Sequence, residues 1–91
     1  MPRPARRTVA EQVGIQLVEA DIETGFALVD EAKGYFASDQ KQAASLVLQQ
    51  AAKILVDVEQ RLLRLGDSEP FQPLITELRD EIAAAERGDT M

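Results

Sequence analysis

The chain contains no cysteine, no histidine and no tryptophan, and its aromatic residues are three phenylalanines and one tyrosine. Without cysteine it forms no disulfide. Without cysteine and histidine it offers neither the usual zinc ligands nor a thiol or imidazole catalyst. We therefore predict a protein that is not an enzyme and that uses no metal and no cofactor.

Long hydrophobic runs are also missing, so we expect no transmembrane helix. The first residues are basic, but no apolar segment follows them as it would in a signal peptide. Together with the lack of cysteine, these features favour a protein of the cytoplasm.

Positive charge is scarce, because ten Lys and Arg residues stand against sixteen Asp and Glu residues and leave a net charge of −6. An acidic domain repels phosphate backbones, so we predict no nucleic-acid partner. The hydrophobic fraction of 45% and the charged fraction of 29% are typical of a globular chain. A length of 91 residues fits one domain.

Residues 1–7 hold two prolines and three arginines, which predicts a flexible basic tail before a helical domain over residues 8–88. Thr8 is the expected N-cap of a first helix, with Glu11 as its capping-box partner, and this helix should run to about Ala37. Apolar residues recur along it in two adjacent stripes at helical spacing. The first stripe is Ile15, Val18, Ile22, Phe26, Val29 and Phe36, and the second is Val13, Leu17, Leu28 and Tyr35.

Three glycines fall inside this first helix, and each disfavours a helix by about 1 kcal/mol relative to alanine. Gly14, Gly25 and the nearby Ala32 lie between the two stripes, where small residues let a neighbouring helix approach closely. Gly34 has no such role and would mark a bend. The alternative to one long helix is a break near Gly25 into two shorter ones.

A second helix is predicted from the start signal at Ser38-Asp39 to Leu65, with Gly66 as its C-cap. A third helix should cover about residues 70–87, followed by a C-terminal tail at residues 89–91. The expected core positions of the second helix are Ala44, Val47, Leu48, Ala51, Ile54, Leu55, Val58, Leu62 and Leu65. Those of the third are Phe71, Leu74, Ile75, Leu78, Ile82 and Ala85. Three helices with one apolar face each predict an all-α, antiparallel three-helix bundle.

Small and large apolar residues within residues 25–58 stand at the spacings of two crossing helices, namely Ala32, Tyr35, Ala44, Leu48 and Ala51. This αα-hairpin resembles a tetratricopeptide repeat, although the Trp, turn Gly and closing Pro of that repeat are absent. Further matching pieces over residues 25–87 are Ala27-Leu28-Val29 and Ala85-Glu86. With these, the layout resembles the three-helix MIT (microtubule-interacting and transport) domain, which implies that a groove between helices binds a peptide helix.

Two surfaces are predicted to bind a protein partner. A second apolar strip on the back of the second helix is formed by Ala52, Val56 and Leu63, with Glu59 beside them. A solvated acidic ridge on the first helix is formed by Glu19, Glu23 and Asp30. The strip suits self-association or capture of an amphipathic helix, and the ridge would attract a basic segment. We therefore predict an interaction module that acts by helix-in-groove binding or homo-oligomerisation, with an amphipathic or basic helix or a second copy as partner.

One alternative is a ligand- or metal-binding bundle with a polar interior site, for which Asp21, Glu23 and Tyr35 are the candidate residues. Asp21 falls toward the broad apolar face, where a carboxylate needs a partner, so we expect it to be bonded to a neighbouring helix. The other alternative is an accessory subunit of an enzyme complex.

Overall fold

The computed structural model of the chain describes residues 9–66 and 69–87, and in these residues it contains three α-helices, one 3₁₀ turn and no strand. The helices are α1 (Val9–Ala37), α2 (Lys41–Leu65) and α3 (Gln72–Glu86), and the 3₁₀ turn (Glu69–Phe71) leads into α3. The predicted all-α three-helix bundle is confirmed. The predictions for residues 1–7, for the Thr8 cap and for residues 88–91 lie outside the described residues.

The first helix is continuous, so the alternative of a break near Gly25 is wrong, and Gly34 marks no bend that ends the helix. Gly25 is buried because α3 crosses α1 at this point, and a Cβ added there would lie 2.8 Å from Cδ2 of Leu78. A Cβ added to Gly14 would lie 3.3 Å from Cδ2 of Leu65 in α2. The two glycines thus mark close approaches of neighbouring helices, as their positions between the stripes predicted.

The turn between α1 and α2 corrects the sequence prediction, because Ser38-Asp39 ends the first helix rather than starting the second. Asp39 has a φ of 61°, in the left-handed region that a short polar side chain tolerates. The N–H of Gln40 donates to the carbonyl of Tyr35 at 2.8 Å, and the N–H of Asp39 donates to Phe36 at 3.0 Å. This pair of bonds is a Schellman motif, which caps a helix C-terminus. The helix α2 begins at Lys41 without a side-chain cap.

The core lies where the apolar stripes of the three helices meet, and its buried members match most of the predicted positions. They are Val18, Ile22, Val29 and Ala32 of α1, Ala44, Leu48, Ala51, Leu55, Val58 and Leu62 of α2, and Phe71, Ile75, Leu78, Ile82 and Ala85. At the end of α2, Gly66 has a φ of 71°, and its N–H donates to the carbonyl of Leu62 at 2.9 Å. The predicted glycine C-cap is confirmed.

Three residues predicted to lie on apolar packing faces are substantially exposed, at 46% for Val13, 44% for Leu17 and 42% for Leu74. Leu74 is exposed because it stands in the first turn of α3. Val13 and Leu17 are exposed because α3 has 15 residues against 29 in α1 and lies along the other flank of the α1/α2 hairpin. The contacts that hold α3 there include an ion pair of Lys33 with Glu81 at 3.7 Å and a hydrogen bond from Arg79 to Glu59.

Gly34→Ala should raise the free energy of unfolding by about 0.5–1 kcal/mol, because alanine is the better helix former and loses less backbone entropy on folding. Nothing lies within 4 Å of a Cβ at this position, so the methyl group meets no clash. Urea unfolding followed by circular dichroism measures the change. Gly66→Ala is the matched control, because its φ of 71° makes the same substitution unfavourable by about 1 kcal/mol. A loss of stability in Gly34→Ala would contradict the helical, open environment of Gly34.

Candidate partner-binding surfaces

An open groove of about 580 Å³ lies between α1 and the start of α3. We call it the acidic groove, and its lining residues are Glu19, Ile22, Glu23, Phe26, Pro70, Phe71 and Leu74. Its floor is apolar, because Ile22 and Phe71 are core residues and Phe26 is packed against the core. Leu74 reaches the groove from the first turn of α3 and keeps much of its side chain in contact with water.

The position of the groove follows from the local sequence of both helices. On α1, Glu19 and Glu23 are one turn apart on the same side, and Ile22 and Phe26 follow them with the same spacing toward the core. The 3₁₀ turn before α3 brings Phe71 into the core, while Pro70 and Leu74 stay exposed at the edge of the groove. The result is an apolar trough with two carboxylates along one wall.

Among residues 9–66 and 69–87 no lysine or arginine lines the groove, so the charge that these residues give it is of one sign. Both glutamates are exposed, so their carboxylates are hydrated and act through long-range attraction rather than through a buried ion pair. Asp30 is exposed about two turns further along α1 and extends the acidic side beyond the groove. The predicted acidic ridge is therefore divided into a part that borders an apolar trough and a part that does not.

The predicted strip on the back of α2 is also divided. Ala52 and Val56 line a shallow depression of about 500 Å³ together with Leu46, Gln49, Gln50 and Lys53. Leu63 is 80% exposed and lies beyond this depression. Glu59 accepts a hydrogen bond from Arg79 of α3, so its carboxylate serves the contact between two helices of the bundle. A single helix surface forms this depression, which makes it less enclosed than the acidic groove.

The helical spacing of Leu74 and Phe26 predicts that both pack on apolar faces, and it does not predict their second role at the groove. Neither Phe26 nor Leu74 is fully buried, because α3 begins beside Phe26 and no other element among residues 9–66 and 69–87 covers this junction. The signal available in the sequence was the pair of prolines, Pro70 and Pro73, which places a helix start and therefore an irregular edge at this point.

The residues of the alternative polar interior site are not brought together. Asp21 and Tyr35 are both partly buried, but fourteen residues of one helix separate them by about 21 Å. Glu23 is exposed and lines the acidic groove. The expected bond from Asp21 to a neighbouring helix is not formed with any residue of 9–66 or 69–87. Within these same ranges no three acidic residues are grouped to hold a metal ion.

In the part of the chain that the structure describes, no helix combines the length and the apolar character that a membrane span requires. No family model, no curated protein and no solved structure matches the chain.

Proposed function

We propose that this protein is a non-enzymatic interaction module that binds a basic amphipathic helix in the acidic groove. The observation that carries the proposal is the coincidence of exposed apolar surface and negative charge. Phe26 and Leu74 remain accessible beside Glu19 and Glu23. A helix with apolar anchors on one side and lysine or arginine next to them matches both features.

The size of the groove supports this kind of partner. A volume of about 580 Å³ accommodates a few large side chains. Apolar anchors would account for most of the affinity, since buried aromatic and aliphatic side chains dominate interface energetics. The glutamates and the more distant Asp30 would raise the association rate and select against acidic partners.

The absence of tryptophan from the chain allows a direct binding assay. The probe is a synthetic amphipathic helix with one tryptophan among leucine anchors and with lysines on its polar side. Its indole fluorescence should shift to shorter wavelength on binding, and we expect a Kd on the order of 10 µM at low salt, typical of a short helix in a shallow groove. The same peptide with glutamate in place of lysine should bind at least ten-fold more weakly.

Charge reversal in the groove should weaken binding of the lysine peptide by at least ten-fold in the variant Glu19→Lys/Glu23→Lys. The matched control is Asp57→Lys/Glu77→Lys, which changes the net charge equally at exposed positions outside the groove. This control should lose no more than about two-fold, because distant exposed charges are screened by salt. Equal weakening in both variants would contradict a specific site and indicate nonspecific attraction to an acidic protein.

The basic segment at residues 1–7 is a source of the same chemistry within this chain. If it competes for the acidic groove, a chain starting at residue 8 should bind the lysine peptide more tightly than the full chain. Unchanged affinity would mean that residues 1–7 leave the groove open to partners in this chain.

A further inference from the structure

One flank of the α1/α2 hairpin is not covered by α3 or by any other element within residues 9–66 and 69–87. Two residues along a helix correspond to a rotation of about 200°. Lys33 is paired with α3, so Tyr35 lies on the opposite flank of α1. Glu59 is bonded to α3, so Arg61 lies on the opposite flank of α2. The hairpin therefore has a side that faces away from the third helix.

This uncovered hairpin face is mainly apolar over most of its length. Its apolar members are Val13, Leu17, Leu28 and Tyr35 of α1 and Val47, Ile54 and Leu65 of α2. Five of them pack against the core with one side and remain partly exposed with the other. The remaining two, Val13 and Leu17, are the exposed residues for which the bundle itself gives no packing role. An apolar face of this extent on a small domain is typical of a protein–protein interface.

Two charged residues of the same face, Asp21 and Arg61, have side-chain atoms that no group in the described part of the chain satisfies. Asp21 is partly buried, and its side chain forms no hydrogen bond or ion pair with residues 9–66 or 69–87. The Nε of Arg61 is buried and donates to no acceptor. Gly14 lies beside Leu65, since a Cβ added to Gly14 would be 3.3 Å from it, and counting from this pair places Asp21 and Arg61 within about 5 Å of each other along the helix axis. Opposite charges at one level, on neighbouring helices, make the face complementary to itself.

We propose that a second copy of this chain covers the uncovered hairpin face, in a dimer whose two-fold axis runs parallel to the helices. In this arrangement α1 of each copy packs on α2 of the other at the same level, and Asp21 faces Arg61 of the partner subunit twice. All neighbouring helices of the four in contact are antiparallel, as in up-and-down bundles. An isologous interface of this kind requires the self-complementarity that the face has.

The register and the area agree with this arrangement. Heights along the helix axis are counted from the level at which Gly14 lies beside Leu65. On this scale Leu28 falls between the partner's Ile54 and the partner's Val47, so the apolar side chains interleave. From Val13 to Tyr35 the face is about 33 Å long, and two helices make it about 18 Å wide. Each copy would bury on the order of 600 Å², which is near the lower limit for a specific dimer. We therefore expect a reversible dimer.

Size-exclusion chromatography with light scattering, repeated from about 1 µM to about 1 mM, tests the dimer over the range in which such interfaces associate. The full chain should shift with concentration from 10.0 kDa toward twice that mass. A monomer at every concentration would overturn the proposal.

A charge swap tests the pairing between copies. Asp21→Arg alone and Arg61→Asp alone should each weaken the dimer by at least ten-fold, because each places like charges face to face. An equimolar mixture of the two variants should form a heterodimer, since both cross-contacts then join opposite charges. Pairing within one chain could not produce this rescue. Variants that remain dimeric alone, or a mixture that stays monomeric, would overturn the proposal.

An apolar substitution with a matched control identifies the surface. Leu28→Glu should abolish the dimer, whereas Val56→Glu on the back of α2 should leave it intact. The reverse pattern would assign dimerisation to the strip of Ala52, Val56 and Leu63 and overturn the proposal. The charge swap decides the question if Leu28→Glu fails to fold. None of these residues lines the acidic groove, so dimerisation and peptide binding can fail independently.

Discussion

Gly25→Leu should lower the free energy of unfolding by about 3 kcal/mol, the upper part of the range for overpacked cores. A Cβ alone would lie 2.8 Å from Cδ2 of Leu78, and leucine adds three further carbon atoms in the same direction. Leu78 is fully buried, so its side chain has no open space into which to rotate. The gain of about 1 kcal/mol in helix propensity is smaller than the cost of separating α1 from α3.

The matched control for this variant is Gly34→Leu, which makes the same chemical change nine residues further along the same helix. Gly34 has nothing within 4 Å of its Cβ position, so this variant should be at least as stable as the wild type. Urea unfolding of both variants, followed by circular dichroism, measures the difference. Coincident midpoints would contradict the close crossing of α1 and α3, because only that contact distinguishes the two glycines.

Leu62→Ala and Leu63→Ala should differ by about 2–4 kcal/mol in their effect on stability, although the two residues are adjacent in the chain. Leu62 is 2% exposed, and its truncation removes buried apolar surface and leaves a cavity, for which losses of about 2–5 kcal/mol are usual. Leu63 is 80% exposed, so its truncation should change stability by less than about 0.5 kcal/mol.

The measurement is the free energy of unfolding from urea titrations at a protein concentration below that of any dimerisation. This condition matters because self-association stabilises the folded state by mass action. A comparable loss in Leu63→Ala would mean that Leu63 is buried in the isolated chain, contrary to its high exposure in the structure.

The helices themselves were predictable from the sequence because their signals are local. The apolar stripe of α2 and the glycine after Leu65 predicted its core face and its end correctly. The start of α2 was wrong for an equally local reason, since serine and aspartate are used both at helix starts and in turns. The left-handed φ of Asp39 assigned the pair to the end of α1, and residue type alone does not specify that angle.

The candidate binding surfaces were predictable only in part. The acidic ridge was found because charge of one sign is visible in the sequence, and Glu19 and Glu23 line the acidic groove. The apolar half of the groove was missed, since Leu74 has the spacing of a core residue and is exposed only because of where α3 begins. Likewise, periodicity placed Val13 and Leu17 on an apolar face without indicating that no third helix reaches them.

The amino-acid sequence alone shows that the chain is acidic and has no cysteine or histidine, and it predicts where the helices lie apart from the start of α2. These properties depend on residue type and on spacings of three or four positions. The packing of the helices, in contrast, settles which flank of the α1/α2 hairpin α3 covers, and therefore which apolar residues stay exposed. That choice depends on contacts between residues far apart in the chain, such as Leu78 on Gly25, and no local pattern encodes which of two similar apolar flanks such a contact selects.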